Sequence, residues 1–238
     1  MLTNNTHFGT LTLSEVARRL RLVNLSPVGN ADDIINSTCK TTRRAAVLVC
    51  IFQGDGGDLR VILTQRSSML STHPGDVALP GGKMEDGDVD EVATALREAK
   101  EEIGLDPLLV DVVCTLESFT MKNGMVVVPV IGLLYNKAAF HPTPNIAEVE
   151  AIFDAPLDMF LKDENRREVE KEWIGEKYML HYFDYKFEDK IYVIFALTAG
   201  ILIQTASMVF QQPHAFLVRE PKFWNKVSSN SNSSSSNL

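Results

Sequence analysis

"GGKMEDGDVDEVATALREAKEEIGLD", residues 81–106, decides how this chain folds. Val92, Leu96, Ala99 and Ile103 recur at i, i+4, i+7 and i+11, so the stretch is a helix with one apolar stripe. Asp88 and Glu91 form a D-x-x-E capping box at its start, and Gly104 suits the left-handed residue that ends it. Thr94, Glu98, Glu101 and Glu102 lie off the stripe. The three glutamates stand at i, i+3 and i+4, share a face and lean the same way. Each like-charge pair costs only about 0.2–0.5 kcal/mol. A solvated acidic face is therefore the competing reading. The turn "LPGG" (79–82) just ahead favours a metal. Bare glycine backbone comes close to a ligand, and carbonyl with carboxylate oxygen is what Mg²⁺ or Mn²⁺ takes. Such an ion bridges and polarises phosphate oxygens, so the implied chemistry is phosphoanhydride hydrolysis.

Outward from the helix, strands come largely as hairpins. "AAVLVCIF" (45–52) and "LRVILTQR" (59–66) flank a Gly-rich turn. Residues 67–82 read as loop with a short strand at Val77–Leu79. Strands at 108–119 and 125–134 flank Asn123-Gly124, a hairpin signal. Residues 147–161 read as acidic and mostly helical, interrupted at Pro156, and 162–173 as charged and exposed. Two more strands, 177–185 and 190–196, precede a helix at Leu197–Val209. "SEVARRLRLV" (14–23) reads as a helix capped by Ser14. The order implies α/β: an α/β/α sandwich with a mixed sheet. Residues 1–42 form an N-terminal helical segment, 43–226 the main domain, and 227–238 a disordered Ser/Asn-rich tail.

Composition excludes several function classes. Of 238 residues 45% are hydrophobic and 23% charged, which is ordinary for a soluble globular protein. A net charge of -8 argues against nucleic acid as a partner. Cys39, Cys50 and Cys114 show no metal-ligand spacing, and Cys50 and Cys114 sit in apolar runs as core residues. The start "MLTNNTHFGT" shows no secretory or transit pattern, so a cytosolic address is the default. The final "SNL" matches a peroxisomal tripeptide except that Asn237 replaces its basic residue. Residues 191–210 carry no charge and have the length of a bilayer span. Thr198, Gly200, Gln204, Thr205 and Ser207 recur there without a basic flank, which favours a buried strand and helix and no membrane partner.

The same residues resemble a known family. "REAKEEIGL" (97–105) is similar to the tail R-E-U-x-E-E-x-G-U of the Nudix box, with Ala99 at the first apolar place. The head departs: Gly82 to Arg97 is one residue longer, and Val89 holds the slot of the first glutamate, where Asp88 or Asp90 is the substitute. The resemblance implies a Nudix-type sandwich in which Glu98 and Glu102 hold Mg²⁺ or Mn²⁺. Glu101 becomes a further ligand or the base, and Arg97 orients the acids. Which glutamate is the base stays open. "LTQRSSMLSTHPGDVALPGGK" (63–83) is similar to the signature upstream of the box in Nudix coenzyme A diphosphatases. It departs from that signature at Ser71, where a basic residue is usual. This second resemblance implies Arg66, Ser67, His73, Gly81 and Gly82 as substrate-binding residues. The partner is then a nucleoside diphosphate derivative, with coenzyme A first. NADH, ADP-ribose or an oxidised dNTP are the alternatives, as is a non-catalytic nucleotide-binding module. Arg66 fits a phosphate but equally a loop brace; His73 fits a ligand contact, though a loop histidine more often makes a local hydrogen bond. Met69 and Met121 read as core residues.

Overall fold

The computed structural model describes residues 11–23 and 43–224. Cys39, the start of the chain and the Ser/Asn-rich tail lie outside them. Helix α1 (Leu13–Val23) precedes the apolar strand β1 (Arg44–Gln53). Strand β2 (Leu59–Arg66) returns antiparallel as a hairpin, Ile51 opposite Val61. Two short strands follow, β3 (Val77–Ala78) and β4 (Gly81–Lys83). β4 pairs the first half of β1, Gly82 opposite Ala46. Helix α2 (Glu91–Ile103) leads to β5 (Val110–Thr115), β6 (Phe119–Thr120) and β7 (Val126–Leu134). β7 runs parallel to β1, which makes the sheet mixed. β8 (Val149–Pro156) adds to the far edge of β2. β9 (Arg166–Trp173), β10 (Glu176–Phe187) and β11 (Lys190–Phe195) form a second, antiparallel sheet with β9 on its edge. Helix α3 (Ala196–Phe210) closes the unit.

Alternation along the strands builds two cores. Val49, Ile51, Leu63 and Phe153 pack with Val16 and Leu20 of α1 and Leu202 and Ala206 of α3. Leu48, Cys50, Ile62 and Val130 pack on the opposite face with Ala95, Ala99 and Ile103 of α2. Helices thus cover both faces of the mixed sheet, the α/β/α sandwich expected from the sequence. Burial pushes the Cys50 thiol up to about 12 and the Cys114 thiol to about 11, as befits core residues.

Several local expectations are corrected. The first helix is capped by Thr12, not Ser14: the Glu15 N–H donates to Thr12 Oγ1 at 3.3 Å and the Thr12 N–H to Glu15 Oε2 at 2.9 Å. Helix α2 is capped by Asp90, whose carboxylate accepts the Ala93 N–H at 2.7 Å, so the Asp88–Glu91 box does not form. Gly104 ends α2 at φ 72 as expected. Residues 147–161 are not mostly helical: they form β8 and then a 3₁₀ turn, Leu157–Leu161. Val149, Phe153 and Ala155 alternate inward there, and Glu150 on the outward side masked the period of two. Residues 167–173 are exposed as expected, while Arg166 is half-buried, and 166–173 run extended along β10. Met69 is 80% exposed rather than in the core. Residues 191–210 are a strand end followed by α3, and no helix among the described residues is long and apolar enough to cross a membrane. Gly200 opens α3 to the Trp224 ring, which an added Cβ would meet at 2.7 Å.

Candidate active site

The site forms where β4 meets α2. Glu102 is 5% exposed, and its Oε2 accepts the Gly81 N–H at 3.1 Å. Gly82 lies flat under the second acid: a Cβ there would stand 2.4 Å from Glu98 Oε1. Gly81 sits at φ 153, and its Cβ would stand 2.3 Å from the Ala46 carbonyl oxygen. Gly82 therefore lets α2 press Glu98 onto the strand, and Gly81 lets β4 lie close against β1. Gly82→Ala should shift Glu98 while leaving the fold intact. Gly81→Ala should cost stability on the order of 1–3 kcal/mol from backbone strain alone, read by chemical denaturation.

Arg97 organises the acids. Its Nε and Nη2 donate to Asp88 Oδ1 and Oδ2, both at 2.9 Å. Nη1 reaches Glu98 at 3.1 Å and Glu101 at 3.0 Å, and Nη2 also donates to the Lys83 carbonyl at 3.0 Å. Asp88 further accepts the Thr94 hydroxyl at 2.9 Å, and Arg97 beside it holds its carboxyl well below the usual range. Of the two acids offered for the box's missing glutamate, Asp88 is the one that Arg97 holds. Val89 points outward, 87% exposed, and Asp90 is spent on the cap.

Burial pushes Glu102 up to about 7, offset by the Gly81 N–H and by Arg66 and reinforced by Glu98 and Glu148. Burial also raises Glu98, against the pull of Arg97. Glu148 was not singled out from the sequence. It stands just before β8, and Val149 pairs with Arg66 of β2, so reading β8 as a helix hid it. Arg66 donates Nη2 to the Thr72 carbonyl at 3.3 Å, while its buried Nε has no partner. The structure therefore brings Glu98, Glu102, Gly81, Gly82 and Arg66 together. It leaves two expected residues aside. Ser67 is buried, its Oγ accepting the Met69 N–H at 3.3 Å. His73 is exposed and turned to Asp76 at 3.1 Å.

A buried carboxylate whose side chain, among the described residues, is bonded only to a glycine N–H, with two more acids raising its pKa, suits a hard divalent cation. Glu98 and Glu102 both face the β4 glycines, and Glu101 lies one helical step away, held outward by Arg97. Among the described residues, no three His, Cys, Asp or Glu side chains converge as a closed metal site.

The NUDIX domain profile matches residues 42–176, which contain both glycines, the acids and Arg97. The chain belongs to the Nudix family. It is 64% identical over 181 residues to Nudix hydrolase 15, mitochondrial, of Arabidopsis thaliana, covering 76% of this chain and 64% of that protein. It is 60% identical over 179 residues to Nudix hydrolase 22, chloroplastic, of the same plant, covering 75% and 59%. The Nudix chain thus spans less than two thirds of either relative. It is 37% identical over 165 residues to the mouse protein "Peroxisomal coenzyme A diphosphatase NUDT7", covering 68% and 69%. These relatives carry mitochondrial, chloroplastic and peroxisomal names, none of them the cytosolic address that the sequence set as default.

Proposed function

We propose that this Nudix protein, through residues 43–226, hydrolyses the diphosphate of coenzyme A or acyl-CoA, giving 4′-phosphopantetheine and adenosine 3′,5′-bisphosphate. The observation that carries the reading is Arg66 at the end of β2, whose Nε has no hydrogen-bond partner among the described residues. Arg66 belongs to the "LTQRS" stretch, the part of the substrate signature that supports the coenzyme A reading. The name of the mouse relative supports the same substrate.

Glu98 and Glu102 would hold Mg²⁺ or Mn²⁺, with Glu101 as a further ligand or as the base. When bound, the ion supplies charge neutralisation of the diphosphate and acidifies water. The chain's own residues do the rest. Arg97 fixes the carboxylates, so little reorganisation accompanies substrate entry. Gly81 and Gly82 let β4 lie close against β1 and Glu98, which would hold the acids where the diphosphate binds. Arg66, at the end of β2, would pair its guanidinium with a phosphate oxygen. One carboxylate must take the proton of the attacking water as the P–O bond forms and the diphosphate bridge breaks.

The test offers coenzyme A, NADH, ADP-ribose and 8-oxo-dGTP separately with Mg²⁺. Phosphopantetheine from coenzyme A is the expected product. Turnover of another compound alone would discard the substrate and keep the chemistry. Binding without turnover of any would mark a nucleotide sensor. Gly82→Ala should lower kcat for coenzyme A about tenfold or more, by misplacing Glu98.

A further inference from the structure

A cavity of about 710 Å³ lies between α1, the β1–β2 turn, the 3₁₀ turn Leu157–Leu161 and the end of α3. Small-molecule sites run from about 300 to 1,000 Å³. This cavity is separate from the acids. Gly81 and Gly82 pair with Val47 and Ala46 near the start of β1, whereas the cavity adjoins the turn at its far end, about 20 Å along the strand. It also borders the core shared by α1 and α3, on the sheet face opposite to α2.

Its walls are largely apolar. Leu59 and Leu161 are buried at its base, while Leu11 and Phe210 are only partly covered and Pro213 is exposed. Side chains that face a gap forgo contacts on that side, and an alkyl chain would supply them. The charges at the rim are committed, with one exception. Asp58 is paired with Arg60 at 2.8 Å, and Asp158 with Lys162 at 2.6 Å. Arg19, half-buried on α1, forms no ion pair among the described residues. Glu15, one turn ahead of it, is taken by the Thr12 N–H at 2.9 Å and the Thr12 hydroxyl at 2.8 Å. The Nη1 of Arg19 donates to the Val209 carbonyl at 3.0 Å, which places the guanidinium next in the chain to Phe210 of the lining. Its Nε and Nη2 make no hydrogen bond among the described residues.

We propose that this cavity binds a free fatty acid, the alkyl chain lying along Leu11, Leu59, Leu161 and Phe210 and the carboxylate meeting Arg19. Charge complementarity selects the head group. Nε and Nη2 form the open side of a planar fork, which matches the two oxygens of a carboxylate, while Nη1 keeps its bond to Val209. An uncharged head leaves that fork without its partner, and a cationic head is repelled by it. The proposal is independent of the diphosphatase reading, since no residue of the two sites is shared.

Isothermal titration of the full chain with decanoate, decanol and decyltrimethylammonium, each below the concentration at which it self-associates, tests this. Decanoate is expected to bind one to one and about tenfold or more tighter than decanol, with no binding of the ammonium. Arg19→Gln keeps a donor for the Val209 carbonyl and removes the charge. It should lower decanoate affinity to that of decanol and leave decanol unchanged. Ala215→Trp, at an exposed residue of the lining, should fill the cavity and abolish binding of both. Glu102→Gln should bind decanoate as wild type does. Absence of decanoate binding in wild type overturns the proposal, as does equal affinity for all three heads. Undiminished decanoate binding in both Arg19→Gln and Ala215→Trp overturns it too. Loss of binding in Glu102→Gln would move the ligand to the acids and overturn it as well.

Discussion

Glu102→Gln is expected to make the metal-free protein more stable at pH 8 while reducing turnover by about a hundredfold or more. Both effects come from one buried carboxyl. Its ordinary value near 4.5 is pushed up to about 7 in the folded chain. Between those values the folded state holds a proton that the unfolded state has released. Stability therefore falls as pH rises from about 4.5 to about 7, and the loss is complete above that. Its size is on the order of 3 kcal/mol, or about 5–10 °C in melting temperature for a chain of this length. The glutamine is neutral throughout and keeps an oxygen for the Gly81 N–H, so the variant's melting curve should lose this pH dependence. Mg²⁺ should raise the melting temperature of wild type at pH 8 and leave the variant unmoved. A variant that melts lower than wild type at pH 8 would contradict the burial argument.

Asp88→Asn should be the most damaging change that touches no substrate. It removes the negative partner of both parallel bonds to Arg97. Loss of charge-assisted bonds on a nearly covered side chain costs about 1.5–3 kcal/mol, read as a lower denaturation midpoint at constant slope. Arg97 then no longer fixes Glu98 and Glu101, and metal affinity or turnover should drop about 10–100-fold. Arg97→Lys should fail in the same way, because an ammonium cannot bridge both oxygens of Asp88 while reaching two more acids. Wild-type Mn²⁺ affinity in either variant would show that Arg97 merely decorates the surface.

The extent of the sequence's legibility follows from the range of each interaction. The α2 stripe and the face shared by Glu98, Glu101 and Glu102 depend on neighbours within one or two turns, and both are present. Whether Asp88 or Asp90 caps α2 depends on where Arg97 lies, a partner nine residues away, so the local box rule chose wrongly. β8 was lost because acids on its outer side blur the alternation of Val149, Phe153 and Ala155. Glu148 was lost with it, since only the β2–β8 pairing brings it to Arg66. The parallel pairing of β1 with β7 joins residues about eighty apart, and nothing local announces it. The motif glycines were read as metal donors. In the structure their geometry is first of all an absence of side chains.

The edge strand β9 has a consequence for life at high concentration. An open strand edge invites a second copy to extend the sheet. Such a pairing would run antiparallel about a twofold axis normal to the sheet, setting like residues of one face against each other. Centred on Val169, it would oppose Glu168 to Glu170 and Arg167 to Lys171 of the other copy. Centred on Glu170, it would oppose that glutamate to itself and Glu168 to Glu172. Each of these alignments stacks like charges directly across the seam, which is destabilising in a sheet. The charged strand is thus a guard against aggregation, written into the side that faces solvent.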